Sequence, residues 1–521
     1  MDMKKEKKQR EVRLPALWAA ILPILCMAVL MIYNLAIEGY YVDAHMPLVI
    51  SICVACAVGV AYGRTFKDIM ASIVARISNT LEAILILLTV GFLVASFMAA
   101  GTIPALIFYG LKLLSPKVFL PVGCILCAVT GLACGSSWTT TATVGVAFMG
   151  IGLGLGLNPA LTAGMVISGA YVGDKFSPLS DTTNLAAGVS NTGLFDHVRA
   201  MVSTTGPTFL IALILYTILG LRANATGYDD SKAIEIINAI GDTFNMNPLV
   251  FIPLIVIIVV CIVKMPALPG ILLAVAVAIV TSIIFQAEAV WADGVTFGAI
   301  CDLLHYGLSS VETASTDVND ILGKAGGMEG TLWTINLVIL AVGYGGALEG
   351  AGVVDRLFSG IKHKLHTPGQ LVTATMLTGI FCDAAMGDQF LGISVPAPLY
   401  ADKFDEMGLA RNMMSRTLED AGTLWSPMFP WTACGAWQST ALGMNPFMYF
   451  PFAFVNLINP FYAAITCWLG RNIFWADGSY TNLFKKTKAG EPAEAPEEEH
   501  ELAVKNLEAL RAAGKAPQIN A

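Results

Sequence analysis

Ser177-Pro178-Leu179-Ser180-Asp181-Thr182-Thr183-Asn184 sets a proline, a row of hydroxyls, a carboxylate and an amide inside a chain that is 56% hydrophobic and 13% charged. Soluble domains carry roughly 25% charged residues, and the mean hydropathy here is +0.68. The bilayer is therefore the solvent, and a polar run inside it needs a reason. Pro178 ends one helical segment by removing a donor, and Ser180 or Asp181 can cap the next. What remains is an oxygen-rich turn beside one formal negative charge, and hard cations take oxygen ligands. Ser180, Asp181, Thr183 and Asn184 are the expected sodium ligands, with Ser177 and Thr182 in the same turn. The plainer alternative is that Ser180 or Asp181 only caps a short helix.

Apolar stretches surround this turn. A hydrocarbon core needs about 20 apolar residues per helix, and such runs recur near 17–37, 46–62, 81–100, 207–221, 248–263, 268–285, 331–348 and 447–470. No small-residue cleavage site follows the first, which is expected to stay as a helix. Long continuous runs exclude a transmembrane β-barrel, whose strands alternate. Lys4, Lys5, Lys7, Lys8, Arg10 and Arg13 precede the first span, and Lys485, Lys486 and Lys488 follow the last. Basic flanks stay inside, so both termini read as cytoplasmic in a multi-pass protein of a bacterial inner membrane. The segment 63–80, with Arg64, Lys67 and Arg76, reads as lying on the inner side, so the first two helices run out and back, and the acidic insert 286–330 reads as external.

The net charge of −8 is scattered, so no nucleic-acid partner is inferred. Cys53 with Cys56, and Cys124 with Cys127, lie in apolar helices without neighbouring His or carboxylate and read as small buried hydrophobes. His363 and His366 alternate with Lys362 and Lys364 on a solvated basic face.

Two stretches match in order. Val90-Gly91-Phe92 with Gly101 resembles Val342-Gly343-Tyr344 with Gly352. Thr130-Gly131-Leu132-Ala133-Cys134 matches Thr378-Gly379-Ile380-Phe381-Cys382 at an offset of 248 (378 less 130), and Phe176-Ser177-Pro178-Leu179 matches Trp425-Ser426-Pro427-Met428 at 249 (425 less 176). Charge bias sends the two copies across the membrane in opposite senses, the inverted repeat of many transporters. The fold class is thus an all-α polytopic membrane protein with re-entrant hairpins and interrupted helices. The expected segments are tail 1–16, helices 17–80, first repeat 81–221, connection and insert 222–330, second repeat 331–475 and tail 476–521.

Four places break an apolar run: 135–141, 174–184, 383–389 and 419–432. Backbone freed of helical bonds in hydrocarbon survives only where it is buried in protein or lines a cavity. Ser136, Ser137, Thr139 and Thr140 in the first break are therefore candidate ligands expected to face the Asp181 turn across a polar cavity, although hydroxyls also serve as packing glue between helices. Asp174-Lys175 reads either as an ion site or as a neutralising pair. Asp383 and Asp388 are further candidates, since an intramembrane acid is a functional hypothesis by default. Glu419 and Asp420 read equally as boundary residues.

The run from Gly169 to Ala186, GAYVGDKFSPLSDTTNLA, resembles the signature of the NhaC-type sodium/proton antiporter family, and Gly135 to Gly145 is similar to that family as well. The resemblance covers about 80–470. It implies inverted repeats, re-entrant hairpins, a homodimer, and exchange of sodium and protons as transported ions with no cofactor. Exchange of internal sodium for external protons, with Asp181, alone or together with Asp174, alternately binding either ion, is the leading expectation. The alternative is a sodium- or proton-coupled exchanger of small organic acids or amino acids, with Lys175 or exposed half-helix N-termini as the anion donor. An intramembrane aspartyl protease and a passive channel leave the repeat unexplained, so no enzyme activity is expected.

Overall fold

The computed structural model describes residues 12–38, 44–225, 231–263, 265–308, 311–323, 326–358 and 365–481. The basic residues 4–10, Lys324, the Lys362 to Lys364 segment with His363, and the tail beyond 481 lie outside the described residues. In chain order the helices are α1 Leu17–Glu38, α2 His45–Ala61, α3 Phe66–Asn79, α4 Leu81–Ala99, α5 Thr102–Leu113, α6 Pro116–Cys134, α7 Ser137–Thr140, α8 Val146–Gly154, α9 Pro159–Phe176, α10 Asp181–Ser190, α11 Leu194–Ala225, α12 Ser231–Thr243, α13 Ile252–Ile262 and α14 Ala267–Phe285. There follow α15 Ala287–Val290, α16 Phe297–Tyr306, α17 Thr316–Gly323, α18 Glu329–Gly350, α19 Val353–Phe358, α20 Pro368–Met386, α21 Gln389–Ser394, α22 Pro396–Glu406, α23 Arg411–Trp425, α24 Ala433–Leu442, α25 Pro446–Tyr449 and α26 Phe454–Trp468. A single π-helical turn, Thr141–Gly145, joins α7 to α8. A short antiparallel pair, Ile473–Phe474 with Tyr480–Thr481, closes the described chain.

Five described helices are long and apolar enough to cross a membrane, or seven if each of two bent pairs counts as one span. This is an all-α, multi-pass membrane protein. The basic segment 63–80 forms α3, which joins α4 in a run of 34 residues from Phe66 to Ala99. Its charges did not break the helix because the stretch has no proline or glycine after Gly63, and Thr65 caps its start by accepting from Asp68 N at 3.2 Å. Arg76, facing α18, binds Glu349 at 2.6 Å.

The element series repeats. A helix that must stop sharply ends in a left-handed residue, which costs Gly little and Asn less than most. Gly135, Gly156 and Asn191 adopt that conformation in the first copy, and Gly387, Gly408 and Gly443 in the second. Each second number is the first plus 252. The caps keep step, with Ser136 opening α7 and Asp388 opening α21, and Ser180 opening α10 and Thr432 opening α24. Near the helix crossings the offset is the smaller one seen in the sequence. A Cβ on Gly131 would lie 3.2 Å from Gly173 Cα, and one on Gly379 3.6 Å from Gly422 N. The glycines let α6 meet α9, and α20 meet α23, at backbone distance. Cys124 and Cys127 are buried at the same α6–α9 crossing against Gly169, whereas Cys53 is exposed on α2.

Candidate functional site

The Ser177–Ser180 break separates α9 from α10. Ser180 caps α10, and Asn184 Nδ2 donates back to Ser180 O at 2.7 Å and Pro178 O at 3.0 Å. A helix beginning at Asp181 turns its second and third residues to one side. Thr182 and Thr183 are buried, while Asp181 and Asn184 are exposed. The expected ligand set is thus divided by helix phase: Asn184 is spent on the cap, and Asp181 faces away from the hydroxyls.

The first break lies against this one. A Cβ on Gly135 would fall 2.6 Å from Leu179 Cβ and 3.0 Å from Ser180 N, so the two turns touch directly and no polar cavity separates them. Ser136 caps α7 by accepting from Thr139 N at 3.2 Å, and Thr140 Oγ1 donates to Ser136 O at 2.9 Å. Ser137 N donates to Asp174 Oδ2 at 3.1 Å. Asp174 therefore ties the two breaks together. The Asp174–Lys175 pair does not form, because neighbours on a helix point about 100° apart. Lys175 instead reaches Asp420 Oδ1 at 2.7 Å.

That contact belongs to α23, where Ser415, Arg416, Glu419 and Asp420 are all wholly buried. Asp420 also accepts from Asn459 Nδ2 at 2.8 Å and Thr204 Oγ1 at 3.1 Å, and its Oδ2 lies 3.6 Å from Arg416 Nε. Glu419 Oε1 accepts from Thr182 at 3.1 Å and Thr183 at 3.2 Å. Its Oε2 is 2.8 Å from His197 Nε2, and His197 Nδ1 is 2.8 Å from Ser415 Oγ. Thr183 Oγ1 is also within 3.2 Å of Lys175 O and 3.4 Å of Asp174 O, and Ser180 Oγ is 3.0 Å from Thr182 Oγ1. Oxygens of both copies converge there, beside a carboxylate removed from water. Neither Glu419 nor Asp420 lies in a break; both are helical and wholly buried, and the break of the second copy begins only at Ser426.

In that copy Asp388 caps α21 through Phe390 N at 2.9 Å. Asp383 is wholly buried beside Gly392, and neither of its oxygens has a hydrogen-bond partner among the described residues. Trp437 of α24 stacks on Trp138 of α7 at 5.5 Å, linking a break of one copy to a break of the other.

A sequence model described as the "Na+/H+ antiporter family" matches residues 101–183 and 169–471. This chain belongs to the Na+/H+ antiporter family. It is 34% identical to the Na(+)/H(+) antiporter NhaC of Alkalihalophilus pseudofirmus, over 82% of this chain and 91% of that one. It is 35% identical to the arginine/ornithine antiporter ArcD of Halobacterium salinarum, over 94% and 96%, and 31% identical to the malate-2H(+)/Na(+)-lactate antiporter of Bacillus subtilis, over 92% and 100%. The resemblance carried by Gly169 to Ala186 is borne out.

Within this antiporter-family chain, sequence reading missed His197, Ser415, Arg416, Thr204 and Asn459. One signal was available. Ser415 with Glu419 and Arg416 with Asp420 are both i,i+4 pairs, so the polar residues of α23 form a stripe one helical face wide. His197 carried none, since its partners are 218 and 222 residues away.

Proposed function

We propose that this chain exchanges internal sodium for external protons by alternating access, with the cation held where α10 meets α23. The observation that carries the reading is Glu419, a wholly buried carboxylate of the second copy that meets the Thr182 and Thr183 hydroxyls of the first. Family membership and the NhaC relatives support the same reading. An ionised carboxylate out of water is costly unless paired, so a cation or a proton must accompany it through the cycle. Thr182, Thr183, Ser180 and Asp174 then join Glu419 around the ion, and Asp181 and Asn184 move to its rim. Asp383, Asp388 and the Ser136 to Thr140 turn form the flanking polar shell.

The two copies are of opposite topology in this reading, and both termini are cytoplasmic. Contacts such as Glu419 to Thr182 join the copies, so a rocking motion that makes and breaks them opens the ion to one side and then the other. The protein works as a homodimer in the same scheme.

The ArcD and malate/lactate relatives, at similar identity, support a second reading in which an organic acid or amino acid is exchanged. Lys175 does not serve it as an anion donor, because Asp420 already holds its ammonium. Proteoliposomes with an imposed pH gradient test both: sodium alone should dissipate the gradient. A response that appears only when arginine, malate or lactate is added would replace the first reading with the second.

A further inference from the structure

Asp383, near the end of α20, is wholly buried with both carboxylate oxygens unpartnered among the described residues. A Cβ on Gly392 of α21 would collide with its Oδ1, so the carboxylate occupies the space a side chain there would take. The charged neighbour of Asp383 is Asp388, which repels it. Asp388 itself is provided for, since its Oδ1 accepts from Phe390 N at 2.9 Å and the guanidinium of Arg76 favours its charge. An ionised acid out of water is costly unless it is neutralised. Asp383 therefore carries either its own proton or a bound cation.

The surroundings favour the cation. Helices α20, α21 and α23 meet here at backbone distance: a Cβ on Gly379 would lie 2.8 Å from Gly392 O, and one on Gly422 2.9 Å from the same oxygen. The break that follows α23 folds over the same end of α20, with Trp431 Nε1 donating to Ala384 O at 2.6 Å and Ala433 N to Gly387 O at 2.8 Å. Ser426 stands one turn beyond Gly422 and is tied into that break by Thr432 Oγ1, which donates to Ser426 O at 2.6 Å. Cys434 lies beside both Ser426 and Asp388. Ser426 Oγ, Thr423 Oγ1 and Gln389 Oε1 are at least nine-tenths buried and, like the Asp383 oxygens, have no hydrogen-bond partner among the described residues. A protonated carboxyl donates one hydrogen bond and would serve one of these oxygens. A cation would serve several at once. In the first copy Asp174 of α9 joins the two breaks, whereas its counterpart in the second copy is Thr423 (174 plus 249), and the carboxylate comes from α20 instead.

We propose that Asp383, Asp388 and Ser426, with Gln389 and Thr423 beside them, form a second site for a monovalent cation, sodium, inside the second copy. It is separate from the one at Glu419, which precedes Ser426 by seven residues, roughly 10 Å along a helix axis. The charge count sets the valence. Asp388 already has Phe390 N and Arg76, so one positive charge neutralises Asp383 and a divalent ion would leave an excess. Transport of the second ion rests on the sodium/proton reading; its binding does not.

Equilibrium binding of radioactive sodium to the purified full-length protein counts the sites. Wild type should bind two ions per chain, Asp383→Asn one and Glu419→Gln one. Asn has the size of a protonated carboxyl, so an Asp383 that only carried its own proton would lose no sodium on this change. Ser426→Ala keeps both acids and should weaken one of the two sites about tenfold; it carries the test should Asp383→Asn fail to fold. Sodium should also raise the thermal midpoint of Glu419→Gln, through the site that remains, more than that of Glu419→Gln combined with Ser426→Ala. Two ions in folded Asp383→Asn, or two unchanged affinities in Ser426→Ala, would overturn the proposal. A single ion in wild type that Asp383→Asn keeps does the same, and a single ion lost in either acid variant means one shared site and overturns it as well. A single ion kept in Glu419→Gln and lost in Asp383→Asn upholds this site and removes the cation from Glu419. A wild type that binds no sodium removes both sites.

Discussion

Glu419 and Asp181 are both acids near one turn, and burial separates their roles. Glu419→Gln keeps the shape and can still meet Thr182 and Thr183, but it cannot carry charge. Sodium-driven proton movement in vesicles should be abolished while insertion persists. Asp181→Asn should retain most of the exchange, because its side chain is exposed and the cap of α10 belongs to Ser180; loss of exchange would return Asp181 to the ion site. Lys175 and Asp420 form a different kind of pair. Removing one partner of a buried ion pair costs about 3–5 kcal/mol, whereas replacing both with apolar residues is often neutral. Lys175→Met should therefore lower the thermal midpoint of the purified protein sharply, and Lys175→Met with Asp420→Leu should recover much of it. Equal loss in the single and double variants would mean that the pair's remaining contacts, with Thr204 and Asn459, dominate.

At the scale of elements, the interruptions were legible and the long-range partners were not. Pro178 and the small polar runs announce breaks because proline and unpaired backbone act locally. The i,i+4 stripe of α23 is equally local, but which face met which neighbour depended on α11 and α9, hundreds of residues away in sequence. The phase of α10 depended on where it started: had it opened one residue later, other side chains would have turned inward. Close helix contacts give a sharper test of the architecture. A Cβ on Gly173 would lie 2.2 Å from Ala128 O, whereas one on Gly156 would meet nothing within 4 Å. Gly173→Ala should cost about 1–3 kcal/mol through overpacking of α6 on α9. Gly156→Ala should cost only the left-handed strain, about 1–2 kcal/mol. Unfolding midpoints of the two variants check this, and a Gly173→Ala variant that unfolds no earlier than wild type would remove the crossing from the account.

For the whole molecule, the repeat was readable as a nearly constant offset, and the left-handed residues give it a structural counterpart. The sense of each copy in the membrane belongs to the proposal, and Cys301 offers a direct probe. It is exposed within the acidic 286–330 segment. An impermeant maleimide added outside intact cells should label wild type more than Cys301→Ser. The same difference appearing only in inside-out vesicles would reverse the assigned topology.

The ion pair between Lys175 and Asp420 also bears on how the protein is made. Their separation is 245 residues, so a ribosome releases Lys175 into the membrane long before its partner exists. The helix that brings the partner, α23, carries Arg411, Arg416, Glu419 and Asp420 and is not among the helices apolar enough to cross unaided. Its insertion depends on α9 and α11, already in the membrane, which offer Lys175, His197 and Thr204 to its two acids. Biogenesis therefore has a natural checkpoint, at which a nascent chain stopped before residue 411 holds a lysine with no counter-ion and is open to quality-control proteolysis. Pulse-chase of such truncations should show rapid decay, slowed by Lys175→Met.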